Sequence, residues 1–281
     1  RDRGARVVAP MADVGIFGPD SVVWRIHADP VMLVGGMRAL LVQGLEPRAM
    51  AAVDQHSRFR EDPWGRLART TSFVLDTTYG DTAAAEAAAA KVVAVHERIH
   101  GVDPVTGREY SARDADLLLW IHAVEVESFL LAYRSFAGPL SRDDGDRYVR
   151  EMARVAEMVE LPSAMAPRSE GDIRDYLRSV RGLRATPAAR DGLRVILFPP
   201  MRLAYRPLWA IPTTAAVAIL PSYARRMYRL PWLPGAAIPV RASVFALSRA
   251  LNLVRPSPPP IRAAWERVSI ASGSHEGDGE G

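Results

Sequence analysis

Long segments of this chain open on a capping residue and carry an apolar stripe at helical spacing, a punctuation that leaves little room for anything but helices. "GDTAAAEAAAAKVVAVHERIHG" runs from a cap at Asp81 or Thr82 to Gly101, a residue suited to the left-handed position that ends a helix. Its alanines are strong helix formers, and Val92, Val95, His96 and Ile99 fall on one face. "SARDADLLLWIHAVEVESFLLAYRSFAG" opens with a Ser111–Asp114 capping box and stops at Gly138. Leu118, Leu119, His122, Val126, Phe129 and Tyr133 form its stripe. "SRDDGDRYVREMARVAEMV" repeats the grammar from Ser141, with Asp144 three residues on.

Further helices are expected near 29–44, 47–58, 64–77, 170–183, 187–197, 201–228 and 240–253. No clean alternating run bounded by turns predicts a strand, and no internal repeat is evident. With 48% hydrophobic and 24% charged residues the composition is that of a globular chain. The expected fold is all-α, a single large helical domain over 17–268 after an N-terminal extension at 1–16. "RPSPPP" reads as an extended stop, and 269–281 reads as a disordered tail.

The most apolar stretch, Pro207 to Ala224, is about the minimum length for a membrane span but holds three prolines. A buried core helix is the expectation. Arg225 and Arg226 follow it, so a peripheral contact with membrane lipid is carried beside that reading. The N-terminal stretch has charge but no long apolar core, as expected of a chain without a signal peptide.

The formal charge is +4, from 36 basic and 32 acidic residues, and Lys91 is the sole lysine. No dense basic run with interleaved aromatics appears, so a nucleic-acid partner is not expected. Cysteine is absent, which removes disulfides, thiolate-ligated haem and cysteine nucleophiles. A chain without cysteine is compatible with a cytoplasmic setting.

Within "KVVAVHERIHGVDP", His96-Glu97-Arg98-Ile99-His100 fits H-E-x-x-H, the helical pattern of zinc hydrolases. That chemistry needs a third ligand, and the extended form would place glycine at 103 and histidine at 106. Asp103 and Thr106 stand there instead. Glu125 or Glu127 lies at a plausible distance downstream, in no specific pattern. A diiron site fails because Val93 and Leu119 stand where Glu-x-x-His motifs need carboxylates. His96 and His122 then remain as histidines on apolar faces, either packed in a core or, for one of them, bound to haem iron.

Several blocks in order carry a wider likeness: "GPDSVVWRIHADPVMLVGGMRALLVQGLEP", "HSRFREDPWGRLARTTSF", "VHERIHG", "YSARDADLLLWIHAVEVESFLLAYRSF" and "ILPSYARRMYRL". Over roughly 17–268 the chain resembles the MpaB-type oxygenase family, which includes the rubber oxygenase latex clearing protein. The resemblance implies a globin-like helical core around haem b. It also implies an oxygenase that uses O2 on an apolar, isoprenoid-like or lipid-like substrate. In that family the "V-H-x-x-V-x-G" helix carries the axial histidine, which matches His96. The "R-x-x-R/K-T" block lines the other haem face and matches Arg66, Arg69 and Thr70. The "W-V-H-A" histidine matches His122 in the pocket, and the arginine after "LLP" matches Arg225, a partner for a haem propionate. Two positions depart from the pattern. His100 stands where the family is commonly basic, often arginine, and Val93 replaces a common arginine.

Rubber oxygenase has lysine at the position of Arg69, and that lysine can occupy the sixth iron position. Arginine stays charged and makes a very poor iron ligand. The resemblance therefore implies a sixth position left open or filled by water, with Arg69 as a hydrogen-bond donor. A haem-binding sensor or carrier without turnover is the alternative reading, and a zinc hydrolase using His96, Glu97 and His100 is a remote one.

Overall fold

The computed structural model describes residues 13–231, 237–254 and 258–276, and these form an all-α domain. The helices are α1 Val22–His27, α2 Met32–Gln43, α3 Pro47–His56, α4 Pro63–Tyr79 and α5 Thr82–His96. After a two-stranded hairpin, β1 His100–Val102 and β2 Glu109–Ser111, come α6 Ala115–Phe136, α7 Arg142–Met158, α8 Glu170–Ser179 and α9 Pro187–Leu197. The chain continues through α10 Arg206–Ala218, α11 Ser222–Tyr228, α12 Ala237–Val254 and α13 Pro259–Glu276. Residues 1–12 of the expected N-terminal extension, 255–257 of the proline-rich stop and 277–281 of the expected tail lie outside the described residues.

Two helix starts follow the caps read from the sequence. The Asp81 carboxylate accepts from the Ala84 N–H at 2.8 Å, and the Ser141 hydroxyl accepts from the Asp144 N–H at 3.0 Å. At Ser111 the box works in half. Asp114 reaches back to the Ser111 N–H at 2.9 Å, while the serine hydroxyl accepts from Arg113 and the helix begins only at Ala115.

The tightest pairing in the bundle is α2 against α6. Gly35 permits it: a Cβ there would lie 2.7 Å from a ring carbon of Phe129. Arg38 crosses the same seam with only 1% of its surface exposed. It donates to the Ile219 carbonyl at 2.9 Å, to Ser128 Oγ and to Glu127 Oε2 at 2.8 Å, so one guanidinium ties α2, α6 and the end of α10. The predicted α6 stripe is borne out: Leu118, His122, Val126 and Phe129 are buried, and Leu119 and Tyr133 are half-buried.

Three expectations need correction. The α5 helix ends at His96, four residues short of the expected stop. Ile99 turns back to bond the His96 carbonyl, and Ala112 then captures the Ile99 carbonyl, so residues 100–102 leave as a strand. The hairpin this creates was not expected. Asp103 closes its turn by accepting from the N–H groups of Val105 and Thr106 and from the Thr106 hydroxyl. The single helix expected over 201–228 is two, bent by 119° at the break before Ser222, where Pro221 cannot continue a helical ladder.

The prolines at 259 and 260 start α13 rather than only ending what precedes them, since proline is tolerated in a first turn. This helix runs on to Glu276, past residue 268. The apolar stretch divides as well. Thr213, Ala215 and Ala216 are buried while the first turn of α10 is exposed, and among the described residues no single helix is long and apolar enough to cross a membrane.

Arg38→Ala should cost about 1–3 kcal/mol of unfolding free energy, because it takes the donor from the buried Ser128 hydroxyl and the Ile219 carbonyl, while Glu127 stays 38% exposed. Gly35→Ala should cost about 1–3 kcal/mol through overpacking. Urea unfolding measures both, and an unchanged midpoint in Gly35→Ala would disprove the close approach.

Candidate functional site

His96 is the last residue of α5 and is half-buried at a point where the chain stops being helical. Its imidazole has no hydrogen-bond partner among the described residues. Burial lowers its pKa, opposed by the negative charge of Glu160. The ring is therefore neutral at pH 7, with a lone pair to offer. Glu160 follows α7 in a left-handed conformation, φ 71°, and pairs with Arg113 at 2.9 Å. The expected stripe is incomplete here, since Val95 is 45% exposed and the sealed face of α5 is Ala85, Ala88 and Ala89.

The α4 helix packs on α5. It starts cleanly, with Pro63 in the first turn and the Asp62 carboxylate accepting from the Gly65 N–H at 2.9 Å. Arg66 reaches inward and donates to Ser57 Oγ at 2.6 Å. Burial lowers its pKa, and Arg69 adds a like charge. Arginine still keeps its proton, so Arg66 is a half-buried positive charge with no carboxylate partner among the described residues. Arg69 is 65% exposed and stands 3.5 Å from Asp62. Thr70 spends its hydroxyl on the Arg66 carbonyl at 3.1 Å, a back-bond within its own helix.

His122 lies on α6, buried, and its Nε2 has no partner. Burial holds its pKa down to about 4, so it too is neutral. One turn further, Glu125 lies deep in the protein, where burial pushes its carboxyl up to about 7. By accessible surface it is half-buried. Beside it, the Tyr148 hydroxyl feels the Glu125 charge and lies 2.8 Å from His27 Nε2. His27 Nδ1 lies 2.8 Å from Thr78 Oγ1, which makes His27 a satisfied core histidine.

Phe73 and Leu75 of α4 share a hydrophobic cluster with Ala123 and Val126 of α6. Leu161, next to Glu160, packs with Leu118 and Leu119, one turn before His122. His96, Arg66 and His122 make no direct hydrogen bond or ion pair with one another. The Arg225 guanidinium bonds the Leu220 and Ala218 carbonyls where α10 ends.

The H-E-x-x-H geometry is not formed. His100 sits in β1 with its carbonyl 3.2 Å from His56 Nε2, so the two histidines do not share a helix face. Among the described residues no three His, Asp or Glu side chains gather as a metal cluster. The residues do fit a cofactor that needs one imidazole nitrogen and a place for negative charge. His96 can supply the first and Arg66, which has no carboxylate partner among the described residues, the second, while His122 Nε2 is a buried polar atom without a partner. Sequence reading weighed Glu125 only as a zinc ligand; its depth in the bundle, which no spacing reveals, is what sets it apart.

Neither of two surface clefts, about 200 and 240 Å³, is lined by any of these residues. No curated protein and no solved structure matches the chain. One family model does, over residues 24–250: the catalytic domain of the ER-bound oxygenase mpaB/B' and rubber oxygenase. That span covers most of the chain and all the residues placed above, and the chain belongs to this oxygenase family.

Proposed function

We propose that this oxygenase-type domain works with haem b and O2 on an apolar, isoprenoid-like or lipid-like substrate, with His96 as the iron ligand. The observation that carries the reading is the His96 imidazole: neutral, half-buried and without a partner. Haem, when bound, supplies the oxygen chemistry. The chain's own residues do the rest. Arg66 offers a fixed positive charge to the cofactor's carboxylates, or to oxygen that gains negative charge.

His122 Nε2 can accept or donate one hydrogen bond in the same region. Glu125 holds a proton near neutral pH and can give it up or take it back at its carboxylate oxygen. Arg69, exposed and weakly paired, is the donor nearest in sequence to Arg66 and is not a ligand. Arg225 acts instead as a support that holds the α10–α11 bend through the Leu220 carbonyl.

Protein expressed with haem supply should show a Soret band, and His96→Ala should lose or strongly shift it. A band unchanged in the variant refutes the ligand assignment, and no band in the wild type refutes the haem reading. A resting spectrum with a nitrogen sixth ligand would contradict the role given to Arg69. Product from an isoprenoid and lipid panel under O2 marks an oxygenase; haem binding without product marks a sensor or carrier.

The raised carboxyl makes a separate prediction. A folded-state pKa of about 7 against the ordinary 4.5 means stability is full below pH 4.5 and falls as pH rises toward 7. From pH 5 to 8 the wild type should lose about 2.5 kcal/mol more unfolding free energy than Glu125→Gln. Parallel pH profiles would show that Glu125 is well solvated.

A further inference from the structure

We propose that the surface formed by Phe198, Leu203, Tyr205 and Leu208 seats the protein on an anionic membrane. These side chains are 75%, 72%, 57% and 58% exposed, the first three in the connection between α9 and α10 and Leu208 in the first turn of α10. Arg202 to Leu208 are seven consecutive exposed residues, two of them arginines. Large apolar side chains gathered this way mark a docking surface rather than scattered exposure.

The connection is held in shape. Trp64 Nε1 donates to the Pro200 carbonyl at 2.8 Å, and Trp209 Nε1 donates to the Ile196 carbonyl at 3.1 Å. The two indoles meet edge to face with centroids 5.1 Å apart. So the apolar tips stand on a fixed base.

Charge identifies the occupant. Between Asp191 and Glu266 the sequence has ten arginines and no acidic residue, although the whole chain is only +4. The rest of the chain is therefore net negative, and the positive charge is concentrated in the segment that carries the apolar tips. Arg202, Arg206, Arg226 and Arg229 are exposed, and no carboxylate among the described residues pairs with Arg202 or Arg206. Aromatic and aliphatic tips beside unpaired arginines match the boundary between acyl chains and anionic headgroups. A protein partner would need a large acidic surface with an apolar centre, a narrower demand.

The seating is peripheral. The α10 helix exposes its first turn and buries Thr213, Ala215 and Ala216, so its later turns pack in the protein core. Trp64, at the base, lies two residues before Arg66, so the surface adjoins the helix that carries the site's positive charge.

Flotation of the full chain with vesicles of phosphatidylcholine alone, or mixed with phosphatidylglycerol, tests this. Wild type should float with the mixed vesicles, weakly with the neutral ones, and less as salt rises. Leu203→Ser with Leu208→Ser, and separately Arg202→Glu with Arg206→Glu, should each lower partitioning roughly tenfold or more. Circular dichroism confirms that these surface variants fold. Absence of wild-type binding, equal binding to both vesicle types, or variants that float like wild type would overturn the proposal. So would variants that abolish self-association in light scattering but leave flotation unchanged, which would make the patch a protein interface.

Discussion

Arg38 is the constraint around which this fold is arranged. A guanidinium cannot give up its charge on burial, so its donors must find acceptors or the seam between α2 and α6 opens. It finds them on two other elements: Glu127 and Ser128 of α6, and the Ile219 carbonyl where α10 ends. The pairing fixes the α2–α6 register, and Gly35 lets the backbones close onto Phe129. Because Ile219 lies in the break before α11, the same side chain also helps to set the bend of 119°. Arg225 completes that corner from the other side.

With α6 held by α2, the opposite wall is less tightly closed. Half-buried Phe73 and Leu75 reach α6 from α4, and α5 seals only its alanine face. His122 Nε2 is buried without a partner, the half-buried His96 ring has no hydrogen bond among the described residues, and the half-buried Arg66 meets Ser57 Oγ but no carboxylate. A folded protein seldom leaves such groups unpaired unless something else meets them. His27 is the contrasting case, since it is equally buried but satisfied by Thr78 and Tyr148, and so needs no ligand. The difference between the histidines is one of partners.

Local chemistry made much of the fold legible. Asp81 and Ser141 cap where their spacing says they should, because a side-chain oxygen reaching an amide three residues on involves only neighbours. The α6 stripe reads correctly for the same reason. The ends of α5 and of the 201–228 stretch were not legible. Gly101 looked like a stop, yet the chain left the helix at His96 because the Ile99 carbonyl was taken by Ala112 in the hairpin. That bond joins residues thirteen apart, beyond the reach of a helical pattern. The helix over 259–276 was hidden by prolines whose meaning depends on whether a helix ends or begins there.

The site divides along the same line. Sequence by itself determined the all-α class, the family and the candidates His96, Arg66, Arg69, Thr70, His122 and Arg225, since order and spacing along the chain are enough for that. Only the tertiary structure decided what surrounds each one. It left Arg66 half-buried without a carboxylate partner among the described residues and Arg69 65% exposed, and it set the Arg225 guanidinium against helix-end carbonyls. It separated His100 from His96, so the pattern H-E-x-x-H survives in the sequence but not in space. It also raised Glu125, unremarkable as a letter, to a carboxyl with a pKa of about 7. Burial and partnership arise from contacts between distant segments, and a one-dimensional pattern does not contain them.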